Sequence, residues 1–294
     1  MESHFEYLRP GSTKEALQMK SEFGDRAKFW AGGTDMVLRW HREIDQFSYC
    51  IDITYLNEMS DIAVGKDSIR IGALVSLSTL ERAADQHHIL KTLSDVTKLM
   101  CTPQTRTLAT VGGNLINASP AADLTPPFIA MDSLAEIATE NGTRTVPMDQ
   151  FFKGVNKTVV ADDLLSTIVI PLPENQRKAA RYHRIDRTVV DIALVNASTS
   201  ISVDRSNTIT RAGVALGAVA PIVVRSPAAE KFLQGKSIES ISQSDMDEAG
   251  EIASLDGKPI SDVRASAQYR QAMIKVMTAR CIKDCVEQLR GMDQ

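Results

Sequence analysis

Thr110-Val111-Gly112-Gly113-Asn114-Leu115-Ile116-Asn117-Ala118-Ser119-Pro120-Ala121-Ala122-Asp123-Leu124 is the stretch on which the fold of this chain turns. Its Gly112-Gly113 pair is preceded by the small residues Ala109 and Thr110 and followed by hydroxyl and amide side chains. Glycine carries no Cβ, so main-chain N–H groups in such a turn can converge on an anion, and Thr110, Asn114 and Ser119 add short-range hydrogen-bonding groups. One such turn is ordinary. A second stands upstream, where the apolar run Ala27 to Trp30 leads into Ala31-Gly32-Gly33-Thr34-Asp35 and then into the helix-compatible stretch Met36 to Trp40. Strand, glycine turn and helix in that order add the positive end of a helix to the turn.

Neither turn continues into the Gly-Lys-Ser/Thr of a nucleotide P-loop, and neither has the GxGxxG spacing of a Rossmann site. A dinucleotide held by two separate loops remains open. Asp123 suits the ribose of such a ligand, because a carboxylate repels phosphate but accepts hydrogen bonds from sugar hydroxyls. The same residue also reads as an acid near a helix N-terminus, ahead of Pro126 and Pro127.

Outward from these turns, Ser12 with Glu15 forms a capping-box start for a helix carrying Ala16, Met19 and Phe23 on one face. Strands are expected at Tyr49 to Ile53, Ile62 to Val64, Ile69 to Ile71 and Leu164 to Ile170, with a tight hairpin at Asn141-Gly142. Helices are expected at Thr79 to Ala84, Ile89 to Leu99 and near Pro126. Pro171-Leu172-Pro173 and the polar run Glu174 to Lys178 mark a boundary. Beyond it come strands at Ala193 to Val203 and Val214 to Ala218, then helices at Ser226 to Phe232, Ser244 to Ala253 and Arg264 to Arg290. The expected class is α+β, with a two-lobed domain over 1–175 (lobes about 1–55 and 56–175) and a smaller α+β domain over 179–290.

At 294 residues, 43% hydrophobic and 24% charged, the chain can bury large cores and needs no disorder to function. A net charge of −4 with scattered Lys and Arg speaks against nucleic acid. Met1 to Glu6 is acidic and polar rather than basic then apolar, and no run approaches roughly 18 apolar residues, so a cytoplasmic protein without membrane insertion is expected. The four cysteines lack CxxC spacing. Cys281 and Cys285 fall on one helical stripe with Tyr269, Met273, Met277 and Leu289, which reads as core, and no metal site is expected. No HExxH or GxSxG occurs, and hydrolase chemistry has no support.

Together, Lys28-Phe29-Trp30-Ala31-Gly32-Gly33-Thr34-Asp35, Pro103-Gln104-Thr105-Arg106 and the block from Thr110 to Leu124 resemble the FAD-binding subunit of the xanthine dehydrogenase family of molybdenum hydroxylases. Asp163-Leu164-Leu165 to Pro171 and Asp191-Ile192-Ala193 extend the likeness, which covers nearly the whole chain. The resemblance implies that Lys28, Trp30 and Ala31 to Asp35 wrap the FAD pyrophosphate from one side and Ala109, Thr110, Gly112, Gly113 and Asn114 from the other. It places Asn117, Ala122 and Asp123 around the adenosine half, and Met100 and Leu165 against the cofactor's apolar surface. It also implies a molybdopterin-binding large subunit and a [2Fe-2S] small subunit as partners, a dimer of heterotrimers, and electron transfer through FAD to an external acceptor without a catalytic acid or base on this chain. The family's usual Lys near the flavin is His183 here, followed by Arg184, which implies a less positive flavin environment. On that reading His183→Lys raises the flavin potential, unless Arg184 supplies the charge or His183 points away. Two rivals stand beside this: a free-standing FAD oxidoreductase of the UDP-N-acetylenolpyruvoylglucosamine reductase type, and a scaffold subunit that has lost the cofactor.

Overall fold

A computed structural model describes residues 5–188 and 190–292. The chain is α+β, and its elements fall into three successive groups, each with a buried core.

In the first group β1 (Glu6–Leu8), α1 (Thr13–Phe23), β2 (Ala27–Trp30), α2 (Met36–His41) and β3 (Tyr49–Asp52) build a parallel sheet in the order β1-β3-β2. Ser12 Oγ accepts the Glu15 N–H at 3.2 Å to start α1, and Gly24, at φ 55°, ends it in a conformation that a side chain would strain. Ala16 and Leu17 of α1 bury against Ile51 and Ile53.

The second group opens with β4 (Ile62–Val64) and β5 (Ser68–Gly72), then passes through α3 (Leu77–Arg82), α4 (His88–Lys98), α5 (Pro103–Leu108), α6 (Val111–Ile116) and α7 (Thr125–Ala130). It closes with β6 (Leu134–Thr139), β7 (Gly142–Pro147), the small ribbon β8 (Phe152–Gly154) with β9 (Lys157–Thr158), and β10 (Leu164–Pro171). The main sheet is antiparallel, ordered β4-β5-β10-β6-β7. Side chains alternate along a strand, so the adjacent leucines at the start of β10 enter different cores: Leu164 joins the first and Leu165 the second. The seam between the two lobes runs there. Lys20, buried in α1, reinforces it by reaching Asp162 at 2.9 Å.

α5 and α6 were not expected, since each is only six residues long and α6 contains the Gly112-Gly113 pair. Such pieces are poor helices in isolation. Thr102 and Thr110 cap them, and packing on the second core holds them.

The third group is an antiparallel sheet of β11 (Arg177–Ile185), β12 (Val195–Val203), β13 (Ile209–Gly217) and β14 (Val224–Arg225), followed by α8 (Pro227–Leu233), α9 (Gln243–Ser254) and α10 (Ala267–Gly291). All nine residues of β12 are buried because both faces are covered. Val195, Ala197 and Ile201 face α10, where Cys281 and Cys285 lie buried with their Sγ atoms 3.3 Å from the Ala197 and Thr199 carbonyls. The opposite face is made of small residues and admits α7 closely: a Cβ on Gly213 would lie 1.9 Å from the Ala130 carbonyl oxygen. β11 was not expected. It begins at Arg177, inside the polar run read as linker, and as an edge strand rich in charged residues it lacks the apolar alternation that marks strands. Among the described residues no helix is long and apolar enough to cross a membrane.

Lys178 of β11 straps this sheet to the second lobe. Its Nζ donates to the carbonyls of Met131 at 2.8 Å and Pro171 at 3.0 Å, and burial lowers its pKa from 10.5 to about 8. The unfolded chain therefore binds more protons than the folded one between pH 8 and 10.5, and this group's cost to stability is fully present below pH 8 and fades as pH rises through that window. Urea unfolding at pH 7.5 and 9.5 is expected to show the wild-type stability rising relative to Lys178→Met by about 2 kcal/mol. A difference independent of pH would contradict the depressed ammonium.

Candidate functional site

The first glycine turn joins β2 to α2. Gly33 has φ 69°, which an L side chain rarely adopts, and its Cα lies over the Trp30 indole, where a Cβ would come within 2.8 Å of the ring. Trp30 supports the turn from behind, with Phe5 beyond it at 6.2 Å between ring centroids. Among the described residues the main-chain N–H groups of Gly32, Gly33, Thr34 and Asp35 find no acceptor within the chain. Four donors in succession without partners form a surface suited to an anion.

Gly32 presses directly on the chain entering the second turn. A Cβ there would lie 1.9 Å from the Leu108 carbonyl oxygen and 3.1 Å from Ala109 Cα. The two turns, about eighty residues apart in sequence, are in contact.

The second turn differs from the sequence expectation. Gly112-Gly113 lies inside the first turn of α6, and its amides are committed: Val111 N–H donates to Val75 at 2.9 Å, Gly112 N–H to Ala73 at 2.7 Å and Gly113 N–H to Thr110 Oγ1 at 3.0 Å. It is not an open nest. Gly112 is required for packing, since a Cβ would lie 2.7 Å from Ala73 Cβ. What this side can offer a ligand is side-chain chemistry, including Asn117 and the Asn114 Oδ1, which is buried without a partner.

Between the turns opens a cleft of about 480 Å³. Lys28, Ala31 to Asp35, Thr110, Gly113, Asn114 and Asn117 form its polar walls. Phe29, Leu74, Leu77, Met100, Leu165 and Ala109 supply apolar surface, and Gly112 also borders it. Arg106, itself 8% exposed, fixes the segment bearing Met100 by donating to the Met100 carbonyl at 2.9 Å and the Cys101 carbonyl at 3.2 Å. Three non-glycine residues on the cleft wall have left-handed backbones, Cys101 (φ 49°), Asn156 (φ 55°) and Ala161 (φ 52°). Strain of this kind collects at functional sites.

Sequence reasoning missed Arg39, Asp45, Asn156 and Ala161, all lining this cleft. Arg39 Nε lies 2.5 Å from Asp45 Oδ2, and this hydrogen bond, with Lys28 adding its charge, holds the Asp45 carboxyl below its ordinary range. Nothing in a lone Arg within a short helix, or in a loop Asn, signals such a place. Asp35, Asp45 and Asp163 bring negative charge to the cleft, and Lys28 and Arg39 offset it.

Four expected site residues do not line the cleft: Trp30, Ala122, Asp123 and His183. Ala122 is buried. Asp123 has 13% of its side chain exposed and accepts from the Tyr182 hydroxyl and from Arg184 Nη1 at 3.0 Å. Burial pushes its carboxyl above the usual range, opposed by Arg184 and Tyr182. His183 lies in a second, smaller cleft with its Nε2 2.7 Å from Asp284 Oδ2. The period of two along β11 is the reason: Tyr182 and Arg184 face Asp123, and His183 faces α10.

Residues 3–173 match the family model described as the FAD binding domain in molybdopterin dehydrogenase, and residues 180–285 match the CO dehydrogenase flavoprotein C-terminal domain. The chain is 29% identical to the xanthine dehydrogenase FAD-binding subunit of Escherichia coli O157:H7, with 97% of each chain covered. It is 28% identical to the carbon monoxide dehydrogenase medium chain of Hydrogenophaga pseudoflava, covering 95% of this chain and 96% of that one. A solved structure of quinoline 2-oxidoreductase from Pseudomonas putida 86 superposes with a TM-score of 0.85 at 26% identity over 97% of each chain.

Proposed function

The chain belongs to the FAD-binding family of molybdopterin dehydrogenases, and from that premise we propose that it holds FAD in the cleft between its two lobes as the electron-relaying subunit of a larger oxidoreductase. The observation that carries this is the contact of Gly32 with Leu108 and Ala109, which makes two distant glycine segments walls of one space. The residues present fit the cofactor: free amides at the first turn suit a pyrophosphate, and the apolar wall suits a flat ring.

In this reading the N–H groups of Gly32 to Asp35 bind the pyrophosphate, with Lys28 and Arg39 lowering the cost of its charge. Thr110, Asn114 and Asn117 orient it from the opposite wall. Ala31, Ala109, Gly112 and Gly113 keep that wall low enough for close approach. Met100 and Leu165, with Leu74 and Leu77, exclude water from the ring. Asp123 lies off the cleft wall, where its carboxylate accepts from Tyr182 and Arg184 and ties the segment after Asn117 to the C-terminal sheet. Bound FAD supplies the redox chemistry, which the protein tunes through position and electrostatics. No side chain of this subunit needs to move a proton.

Electrons would enter from [2Fe-2S] clusters on a small partner subunit, after substrate oxidation at a molybdopterin centre on a large one, and leave to an external acceptor. A cytoplasmic dimer of heterotrimers is the assembly we expect. Native purification of the chain with its bound partners, followed by metal and flavin analysis, tests this. Molybdenum, iron and FAD co-eluting with two further chains is the expected result. A lone monomer with full oxidoreductase activity would favour a free-standing flavoenzyme, and a colourless complex would favour a scaffold.

A further inference from the structure

Of the six residues of α5, Arg106 alone is buried. A surface helix is ordinarily fastened by an apolar stripe. α5 has none, and Leu108 at its end is 61% exposed, so this helix is tethered through a guanidinium.

That guanidinium joins three segments. Its Nη1 donates to the Met100 carbonyl at 2.9 Å and the Cys101 carbonyl at 3.2 Å, just past the end of α4, and its Nε donates to Glu81 Oε2 of α3 at 2.9 Å. Carbonyls at a helix C-terminus lack partners within the helix, and a cation there meets both those groups and the negative end of the helix dipole. Chains commonly leave a helix through a left-handed glycine, but here Cys101 takes that backbone, at φ 49°, with a side chain attached. α3 grips the same stretch a second time: one turn before Glu81, the Leu77 N–H donates to the Ala109 carbonyl at 2.8 Å.

The residues so fixed border the cleft. Leu77, Met100, Cys101 and Ala109 line it, and the Leu108 carbonyl is the group on which Gly32 presses. Arg106 itself does not line it. A buried guanidinium with one carboxylate is a poor way to gain stability, because desolvation offsets most of the attraction. Three directed bonds from a planar group are better suited to fixing positions.

We propose that Arg106 is a positioning residue for the cofactor: through the Met100 and Cys101 carbonyls and through α5 it sets the wall against which FAD is held, and Glu81 turns its guanidinium towards α4. This rests on the reading that FAD occupies the cleft between the lobes, and it needs no assignment of which part of the cofactor meets that wall.

The test is FAD titration of the full chain, read by flavin fluorescence well below the unfolding temperature, in Arg106→Met, Arg106→Lys, Glu81→Ala and Glu81→Gln, with thermal unfolding of each apoprotein alongside. Cys101 supplies a second readout. Cys50, Cys281 and Cys285 are buried and Cys101 is part-exposed, so the rate of labelling by monobromobimane reports on the segment that Arg106 holds. Arg106→Met is expected to weaken FAD binding on the order of 30-fold and Arg106→Lys about tenfold, since an ammonium cannot reproduce the fork. Glu81→Ala is expected to cost about fivefold, and Glu81→Gln, which keeps an acceptor for Nε, to stay within about twofold of wild type. Labelling of Cys101 in the apoproteins is expected to quicken in the same order. Arg106→Lys and Glu81→Ala carry the test if Arg106→Met does not fold. Affinity within about twofold of wild type in both, with only the melting temperature lowered, is the result of a merely structural residue and overturns the proposal, as does unchanged labelling of Cys101. Failure of the wild-type chain to bind FAD, or of bound FAD to protect Cys101, would instead reject the underlying assignment of the cleft.

Discussion

Gly32→Ala is expected to lower the affinity of the chain for FAD on the order of 100-fold, equivalent to about 3 kcal/mol, while its far-UV circular dichroism stays that of the wild type. The added methyl would lie 1.9 Å from the Leu108 carbonyl oxygen and 2.6 Å from the carbonyl carbon. Both obstacles are main chain, so no rotamer change relieves them, and the two turns must separate by about 1.4 Å before an ordinary carbon–oxygen contact of about 3.3 Å returns. Donors and apolar wall then no longer fit one ligand. Gly11→Ala is the control, because the nearest obstacle there is the tip of the Glu15 side chain at 3.4 Å. Flavin fluorescence titration reads both, and an affinity for Gly32→Ala within threefold of wild type would mean that contact between the turns is irrelevant to binding.

Gly213→Ala is expected to cost about 3 kcal/mol of stability, the upper end for overpacking a close interface. Its Cβ would meet the Ala130 oxygen at 1.9 Å, the Ala130 carbonyl carbon at 2.8 Å and its Cα at 3.1 Å. α7 would be lifted from β13, opening the seam along which the second lobe and the C-terminal sheet share buried residues such as Ala180, Ala215 and Phe128. The shift in urea midpoint measures the loss. A change below about 0.5 kcal/mol, the range of an ordinary surface substitution, would show that the seam is not closely packed.

Much of this architecture is legible in the chain itself. Strong periodicity and turn chemistry mark α1, β2, the Asn141-Gly142 hairpin and the long C-terminal helix, because in each the local preference and the tertiary environment agree. The elements that escape are those that tertiary contacts impose: α6, a six-residue helix built over two glycines, and β11, a charged edge strand. Those two errors have consequences at the site. Read as an open turn, Gly112-Gly113 promises amide donors that the folded chain spends on Ala73 and Thr110. Without β11, the side of the strand on which His183 lies cannot be assigned, and its pairing with Asp284, 101 residues away, is invisible. Gly32 and Gly33 were legible for a different reason: positive φ and backbone contact permit no other residue, so the requirement is written in the residue type itself.

An FAD-loaded crystal structure of the chain decides whether the two glycine segments close on one cofactor. One FAD per chain is expected, its pyrophosphate oxygens about 3 Å from the N–H groups of Gly32 to Asp35 and its opposite side against Thr110 and Asn114. A dinucleotide bound elsewhere, or touching only one of the two glycine segments, would contradict it.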